Sequence, residues 1–534
     1  MRNLYVVAIG GSGERVMRSL IMMLASGVKV NAECVIPVFI ENDVESHALN
    51  SCLNLLAYYK SSEGTGLGVH TIYKRLGDQR ETWPTFCRTE IGDPILLNSA
   101  GDSIGTLQNV IGLTYDDKDD TLTSIAEERD LLFTLDDLNM PLSVGFVGNP
   151  NIGSVVLNSK SLGTKAFDDL RTHFSADDGV IVVGSLFGGT GAAGIPLVIN
   201  SINRMDANQR PTLGVVALLP YFVTNQSNHK KVHIIDTTKY DVQSDAFDAK
   251  TRAALMYYAD YMTDVDFMYY VGDSKAKDVY THCVGGKDQD NRAHLVEVMS
   301  ALSVIDFAKS RKNRRTTYKR PIWGINDDRD AQRLPTNVSG IKNRDLARAL
   351  VKFRMMIQLF KDSAFLQTSI TQKHSYAHNI GFSEPMRQQV VDEKLAANNV
   401  NSWGLNKLIA EWVKWMDELG SEDANRKFRI YNNNEEATDI DITSKFYSET
   451  GFGVAKTRIA KTGLLGILGD KVEVAVDAEV QEALAEAYNA LHPKGNKSDA
   501  LTITDEQRLP LLLQIISKAL DQVIDERCID TLKA

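Results

Sequence analysis

Three separate glycine-rich turns, each placed after a predicted strand, constrain this 534-residue chain more than any other feature. Leu4 to Ile9 (LYVVAI) runs into Gly10-Gly11-Ser12-Gly13, and Glu14 to Leu24 then repeats apolar residues at helical spacing. Leu142 to Val147 leads into a turn over Gly148 to Gly153, with a helix near Lys165 to Phe174. Val180 to Val183 leads into Gly184 to Gly194, and a helix follows over Pro196 to Met205. In an open α/β sheet such turns gather at the carboxyl edge of the strands, where ligands bind. Glycine lets backbone N–H groups approach an anion closely and each helix start adds a favourable dipole, so polyphosphate is the natural ligand. One such turn is only a tight connection; three in register point to a site.

The rest of the first half keeps the same alternation. Cys34 to Ile40, Leu213 to Leu219 and Val265 to Val271 read as buried strands, while Ala246 to Met262 and Asn291 to Lys309 read as helices. Strands alternating with helices predict an α/β fold with a doubly wound, mainly parallel sheet. After Asn50 the pattern blurs for about 90 residues, which we read as an insertion at about 50–140. Beyond Lys309 come a basic segment, a strand-like Pro321 to Ile325, and then mostly helical patterns: Asp345 to Lys361, Gly404 to Leu419, Ala478 to Leu491 and Thr504 to Arg527. The expected organisation is a nucleotide domain over 1–290, a central helix over 291–310 and a largely helical C-terminal domain over 311–534.

Composition narrows the function classes. Apolar residues at 43% and charged residues at 24% belong to an ordinary globular chain, and a net charge of −10 repels nucleic acid and anionic lipid from the average surface. The five cysteines, Cys34, Cys52, Cys87, Cys283 and Cys528, form no CxxC pair, which fits a reducing compartment. Met1 to Gly10 has no signal-peptide layout and no apolar run is long enough to span a bilayer, so a cytoplasmic location is expected.

Two common nucleotide motifs fail. Gly184 to Gly189 is followed by Thr190-Gly191 with no lysine, so it is not a Walker loop, and Gly11-x-Gly13 reaches Val16 where a dinucleotide fingerprint needs glycine. The set instead resembles the tubulin/FtsZ family, through several motifs in the family's order. Ala8 to Gly13 looks like its first phosphate loop, and Phe39 to Leu49 (FIENDVESHAL) is similar to the bacterial pattern FIAxNTDAQAL. Gly148-Asn149-Pro150-Asn151-Ile152-Gly153 matches GNPxxG, and Phe187-Gly188-Gly189-Thr190-Gly191-Ala192-Ala193 is similar to GGGTGSG. Pro220-Tyr221-Phe222 and Val265-Asp266 fall where the family has KPF and VD. The resemblance covers about residues 1–310.

It implies GTP or GDP, with ATP as the alternative, together with Mg²⁺. Gly188, Gly189, Thr190 and Gly191 would wrap the β- and γ-phosphates, and Gly10, Gly11, Ser12 and Gly13 the α- and β-phosphates. Gly148 and Asn149 would close the γ-phosphate side. Asp43 and Glu45 stand at the Asn and Asp positions of the bacterial pattern, Glu45 where the family places an acid near the metal and γ-phosphate, and Asp273 and Asn291 stand at base-contacting positions. The implied partner is a second copy of the chain, in a longitudinal oligomer or filament; the alternative is a non-polymerising nucleotide-sensing scaffold of the same fold.

The pattern also departs from the family. Phe187 and Ala193 replace signature glycines, and Asp273 replaces an asparagine, so it cannot offer both a donor and an acceptor as an amide does. Family members carry an acidic loop after the central helix that positions the attacking water in a neighbour's site. Here seven bases (Lys309, Arg311, Lys312, Arg314, Arg315, Lys319, Arg320) stand in twelve residues, with no carboxylate between Asp306 and Asp327. Hydrolysis is therefore expected to be slow or absent, and any contact with nucleic acid or membrane would run through this segment. Gly101-Asp102-Ser103-Ile104-Gly105 satisfies GxSxG but follows a loop and reads as coincidence, and His229/His233 and His374/His378 lack a third ligand.

Overall fold

The computed structural model describes residues 1–60 apart from 44, then 90–97, 105–112, 120–142, 145–161, 165–225, 244–273 apart from 263, 278–281, 290–309 and 322–324, and stretches between 346 and 528. Its strands up to residue 324 are β1 (Asn3–Ile9), β2 (Cys34–Ile40), β3 (Glu90–Ile91), β4 (Ile95–Leu96), β5 (Gly179–Ser185), β6 (Thr212–Leu218), β7 (Phe222–Asn225), β8 (Phe267–Gly272), β9 (Asp278–Thr281) and β10 (Ile322–Gly324), and four short strands, Phe428–Arg429, Ile440–Asp441, Ala455–Ile459 and Lys471–Ala475, pair with one another in the C-terminal region. The principal helices are α1 (Gly10–Ala25), α2 (His47–Lys60), α3 (Asp120–Leu132), α4 (Leu135–Leu138), α5 (Pro150–Val156), α6 (Lys165–Thr172), α7 (Gly189–Asn203), α8 (Phe247–Tyr261), α9 (Leu295–Lys309), α10 (Trp403–Leu419), α11 (Ala478–Leu491) and α12 (Asp505–Cys528).

The main sheet is parallel, in the order β10-β8-β6-β5-β1-β2-β3, with β4 also paired to β2. From β1 the chain moves outward through β2 to β3 and β4, then returns to the other side of β1 and moves outward again through β5, β6, β8 and β10. The direction reverses between β1 and β5, and such a reversal leaves a crevice at the carboxyl edge. Residues alternate across the sheet as a two-residue period requires: Leu4, Val6 and Ala8 join one core, while Tyr5, Val7 and Ile9 join the other. The first core is covered by α1, α2 and α9, and the second by α5, α6 and α7.

Helix α9 is buried on every side from Leu295 to Ala308. A helix apolar all round belongs inside a core, and here it lies between the sheet and the C-terminal helices. Its head meets Tyr221 beyond the end of β6, with the Tyr221 hydroxyl 3.0 Å from Glu297. Near its end, Phe307 packs at Gly179 and Gly214, by the amino ends of β5 and β6. It thus runs from the carboxyl edge to the amino edge and leaves Lys309 there. Outside it, α10 packs on α1 and α2: the Trp412 indole donates to Ser26 Oγ at 2.8 Å and the Trp415 indole to Ser19 Oγ at 3.2 Å. The fully buried Lys352 is paired with Asp521 of α12 at 2.6 Å.

Three expectations change. Leu142 to Val147 is not a strand, because Gly145, Val147 and Gly148 all take positive φ (78°, 43° and 70°), which an extended chain cannot accommodate. The central helix starts at Leu295 rather than Asn291. Parts of 50–140 are regular, in α2, α3 and α4, where weak periodicity and charged residues hid the helices. The strand-like 321–325 becomes β10 and pairs with β8 at the edge of the main sheet. Among the described residues no helix is long and apolar enough to cross a membrane.

Trp412→Ala removes a fully buried side chain and its hydrogen bond to Ser26, a class of change that costs ~3–5 kcal/mol. In urea unfolding followed by circular dichroism, the transition midpoint is expected to fall while the slope holds.

Candidate functional site

Parallel pairing of β1 with β5 places Ile9 opposite Gly184, so the first and third glycine turns leave the sheet side by side. Gly10 turns the chain with φ +68°, and a Cβ there would stand 3.1 Å from Thr190 Cβ. The second turn closes against the third: a Cβ on Gly189 would lie 2.9 Å from Phe146 Cβ and 3.0 Å from Asn149 N, and one on Gly153 would lie 2.8 Å from the Gly189 carbonyl oxygen. All three turns therefore meet at one edge. Only side chains of hydrogen size permit contacts this close, which is why the sequence places glycine there.

The turns also leave backbone donors uncommitted. Helices α1 and α7 begin at Gly10 and Gly189, preceded by Ile9 and Gly188, and neither has a side-chain cap or an acidic residue in its first turn. Two adjacent helix starts with uncapped N–H groups concentrate partial positive charge at the crevice. Helix α5 differs. Asn149 caps it, accepting from Asn151 N at 3.1 Å and Ile152 N at 3.4 Å, and Pro150 occupies its first position. Asn149 also donates to Asp137 of α4 at 3.3 Å, and Lys250 of α8 donates to the Gly148 carbonyl at 2.7 Å. Gly11 is the position with room beside it: a Cβ there meets nothing within 4 Å.

Phe187 does not obstruct the third turn. Its ring is buried with Phe222 at 5.4 Å and Phe247 at 4.8 Å between centroids, so the residue that replaces the signature glycine serves the core beneath the turn.

The acids are arranged differently from the expectation. Asp43 is buried beside the first turn, whereas Glu45 is exposed, with its amide donating to Asp43 Oδ1 at 3.0 Å. Sequence reasoning missed Glu14 and Glu41. Glu14 lies wholly buried on α1 immediately after Gly13, and its Oε2 accepts from the Ser46 hydroxyl at 3.1 Å. Glu41 follows β2 and accepts from the amides of Asn42 at 2.7 Å and Asp43 at 3.1 Å. Burial, then repulsion from Glu41, pushes the Glu14 carboxyl well above the ordinary carboxylate range, and burial raises Glu41 to about 7. Among the described residues no three such groups stand close enough to cage a metal ion. A Mg²⁺ ion would have to take most of its ligands from nucleotide oxygens and water.

At the other end of the crevice, Asp273 is buried just past β8, and Asn291 lies in the segment leading into α9. This segment is held by α1: Arg15 donates to the Asn291 carbonyl at 2.9 Å and to Glu297 Oε1 at 2.6 Å. His294 Nδ1 accepts from Val296 N at 3.0 Å, so the neutral ring carries its proton on Nε2, facing Asp278 at 3.7 Å. Arg18 pairs with Glu418 of α10 at 2.7 Å, and Glu418 also accepts from Ala293 N at 2.9 Å. The only sequence signal for this network was three charged residues, Glu14, Arg15 and Arg18, on a helix otherwise rich in apolar residues. Ser103, the histidines at 229, 233, 374 and 378, and the basic residues after Lys309 lie outside the described residues.

The two raised carboxyls set a pH dependence. Above about pH 4.5 the folded chain holds protons that the unfolded chain releases, so stability falls as pH rises, and the Glu41 share of that fall runs to about pH 7. For Glu41 alone the loss is about 3 kcal/mol. Glu14→Gln keeps an acceptor for Ser46 and removes the like charge, so denaturation midpoints measured from pH 5 to 8 are expected to vary less than in the wild type.

No family model matches the chain, and no curated protein matches it. Among solved structures it is similar to CetZ from Methanosaeta thermophila strain DSM 6194, at 12% identity and a TM-score of 0.25, over 59% of this chain. The match spans 57% of that protein's length. The functional reading therefore rests on this chain's own residues.

Proposed function

We propose that the chain is a tubulin/FtsZ-like nucleotide-binding protein that takes GTP or GDP at the crevice between β1 and β5 and self-associates. The observation that carries this reading is the meeting of three glycine turns around two uncapped helix starts, at the point where the sheet changes direction. A polyphosphate there receives backbone hydrogen bonds without a dedicated lysine. Gly10 to Gly13 and Gly188 to Gly191 hold the phosphates, and Gly148 with Asn149 closes the terminal one. Mg²⁺ arriving with the nucleotide would offset part of the phosphate charge beside the buried acids.

The base lies toward Asp273 and Asn291. A carboxylate accepts from both N1–H and the 2-amino group of guanine, whereas adenine offers one donor and one acceptor on the same edge. This favours guanine. Turnover is slow, since the segment following Lys309 supplies no carboxylate to position water, and Asp306 is buried with the Tyr269 hydroxyl 2.9 Å away. Self-association is head to tail: α9 runs from the crevice to the opposite edge and ends there at Lys309, the first of the seven bases.

Gly11→Leu fills the open space of the crevice while touching little of the protein. It should leave the melting temperature nearly unchanged and weaken GTP binding at least 100-fold by calorimetry. Undiminished affinity would remove the site assignment.

Asp273→Ala should reduce the preference for GTP over ATP in competition binding, and a wild type that prefers ATP would overturn the base assignment.

A further inference from the structure

Helix α8 buries one side and leaves the other bare. Phe247, Thr251 and Tyr258 are buried on its inward side, and the Tyr258 hydroxyl donates to the Ala192 carbonyl of α7 at 2.8 Å, which fixes the helix against α7. On the outward side Met256 is 70% exposed, Tyr257 46% and Tyr261 62%, and the two tyrosine rings stack with centroids 4.9 Å apart. Large side chains grouped on one helix mark a contact surface, whereas scattered single ones need no explanation. Stacking already restrains the rings, so they have less side-chain entropy to lose on binding.

The face is graded along its length. At about 3.6 residues per turn, Ala249, Arg252, Ala253, Met256, Tyr257 and Asp260 share the exposed side. The half before Met256 is small and positive; the half after it is bulky and negative. Neither Arg252 nor Asp260 is ion-paired among the described residues, and about 12 Å of helix keeps them from pairing with each other. Such a face is complementary to itself when reversed. In an antiparallel pair, Tyr257 of one copy meets Ala253 of the other, Arg252 meets Asp260, and Met256 meets Met256 near the two-fold axis. In a parallel pair, tyrosine would meet tyrosine and like charges would face each other. The exposed carboxylates Asp260 and Asp264 at the end of the helix repel phosphate backbones and anionic lipid, where a helix lying on a membrane would carry bases.

We infer that the outward face of α8 is an interaction surface for the same face of a second copy of this chain, in a closed antiparallel pair. The contact is isologous, so it ends at two copies. It needs no nucleotide and is separate from the head-to-tail association proposed above. One helix pair is small beside the ~1,600 Å² of a standard interface, so dissociation in the micromolar range is expected.

The test is sedimentation velocity over a range of protein concentrations, without nucleotide, on the wild type, Arg252→Asp, Asp260→Arg and an equimolar mixture of the two variants. The wild type should dimerise. Each variant alone should raise the dissociation constant at least tenfold while keeping the wild-type melting temperature, because the charges at the contact then all share one sign. The mixture should dimerise at least as tightly as the wild type, since one chain then carries only acids there and the other only bases. Under mild oxidation Met256→Cys should give a disulfide-linked dimer that the wild type does not, and Ala249→Cys should not, because the antiparallel pair holds the two copies of position 249 about 20 Å apart along the axis. A mixture no tighter than its components, or a crosslink at position 249 in place of 256, would overturn the inference. A wild type that stays monomeric at every concentration would also overturn it and leave the face to a different partner.

Discussion

The parallel pairing of β1 with β5 is the constraint on which the rest depends. It brings together two chain segments about 175 residues apart in sequence, and each strand runs on into a glycine turn, so two helices can start at nearly the same point. Had β5 been added outside β2 instead, each turn would be an ordinary strand-to-helix connection. The second turn joins because Gly153 and Gly189 allow α5 and α7 to approach without intervening side chains. The partial positive charge at the crevice is that of two uncapped helix starts.

Helix α9 connects this crevice to the remainder of the molecule. A fully buried helix can carry charged residues only where they are paired, and its two acids obey that rule: Glu297 is satisfied by Arg15, Tyr221 and the His294 amide, and Asp306 by Tyr269. Arg15 lies one turn beyond the first glycine turn, and Arg18, one turn further on, reaches Glu418 of α10. The first glycine turn, the head of α9 and the C-terminal helix are thus joined by charged hydrogen bonds in a poorly hydrated region, where such bonds are strong and costly to break. Displacement of the α9 head would be felt at α10.

The acids around the first turn carry an opposite tendency. Glu14 and Glu41 are buried near each other without a cation among the described residues, and their raised pKa values express the cost. Buried carboxyls that hold their protons in this way link the stability of the fold beside the crevice to pH.

The sequence by itself determined the periodicities. The buried strands, the alternation that makes the sheet parallel, and the C-terminal helices Trp403–Leu419 and Ala478–Leu491 follow from apolar spacing, which is a local property. The glycine turns were legible for the same reason: close backbone approach demands glycine wherever it occurs. Only the tertiary structure decided what those residues meet. The positive φ angles at Gly145, Val147 and Gly148 ended a run that reads as a strand. Glu45, which the motif placed at the metal, is exposed, while Glu14 and Glu41 are buried. Asn291 lies before the helix, its carbonyl held by Arg15 of α1. Burial, pairing and capping of this kind depend on partners tens to hundreds of residues away, and no local pattern records them.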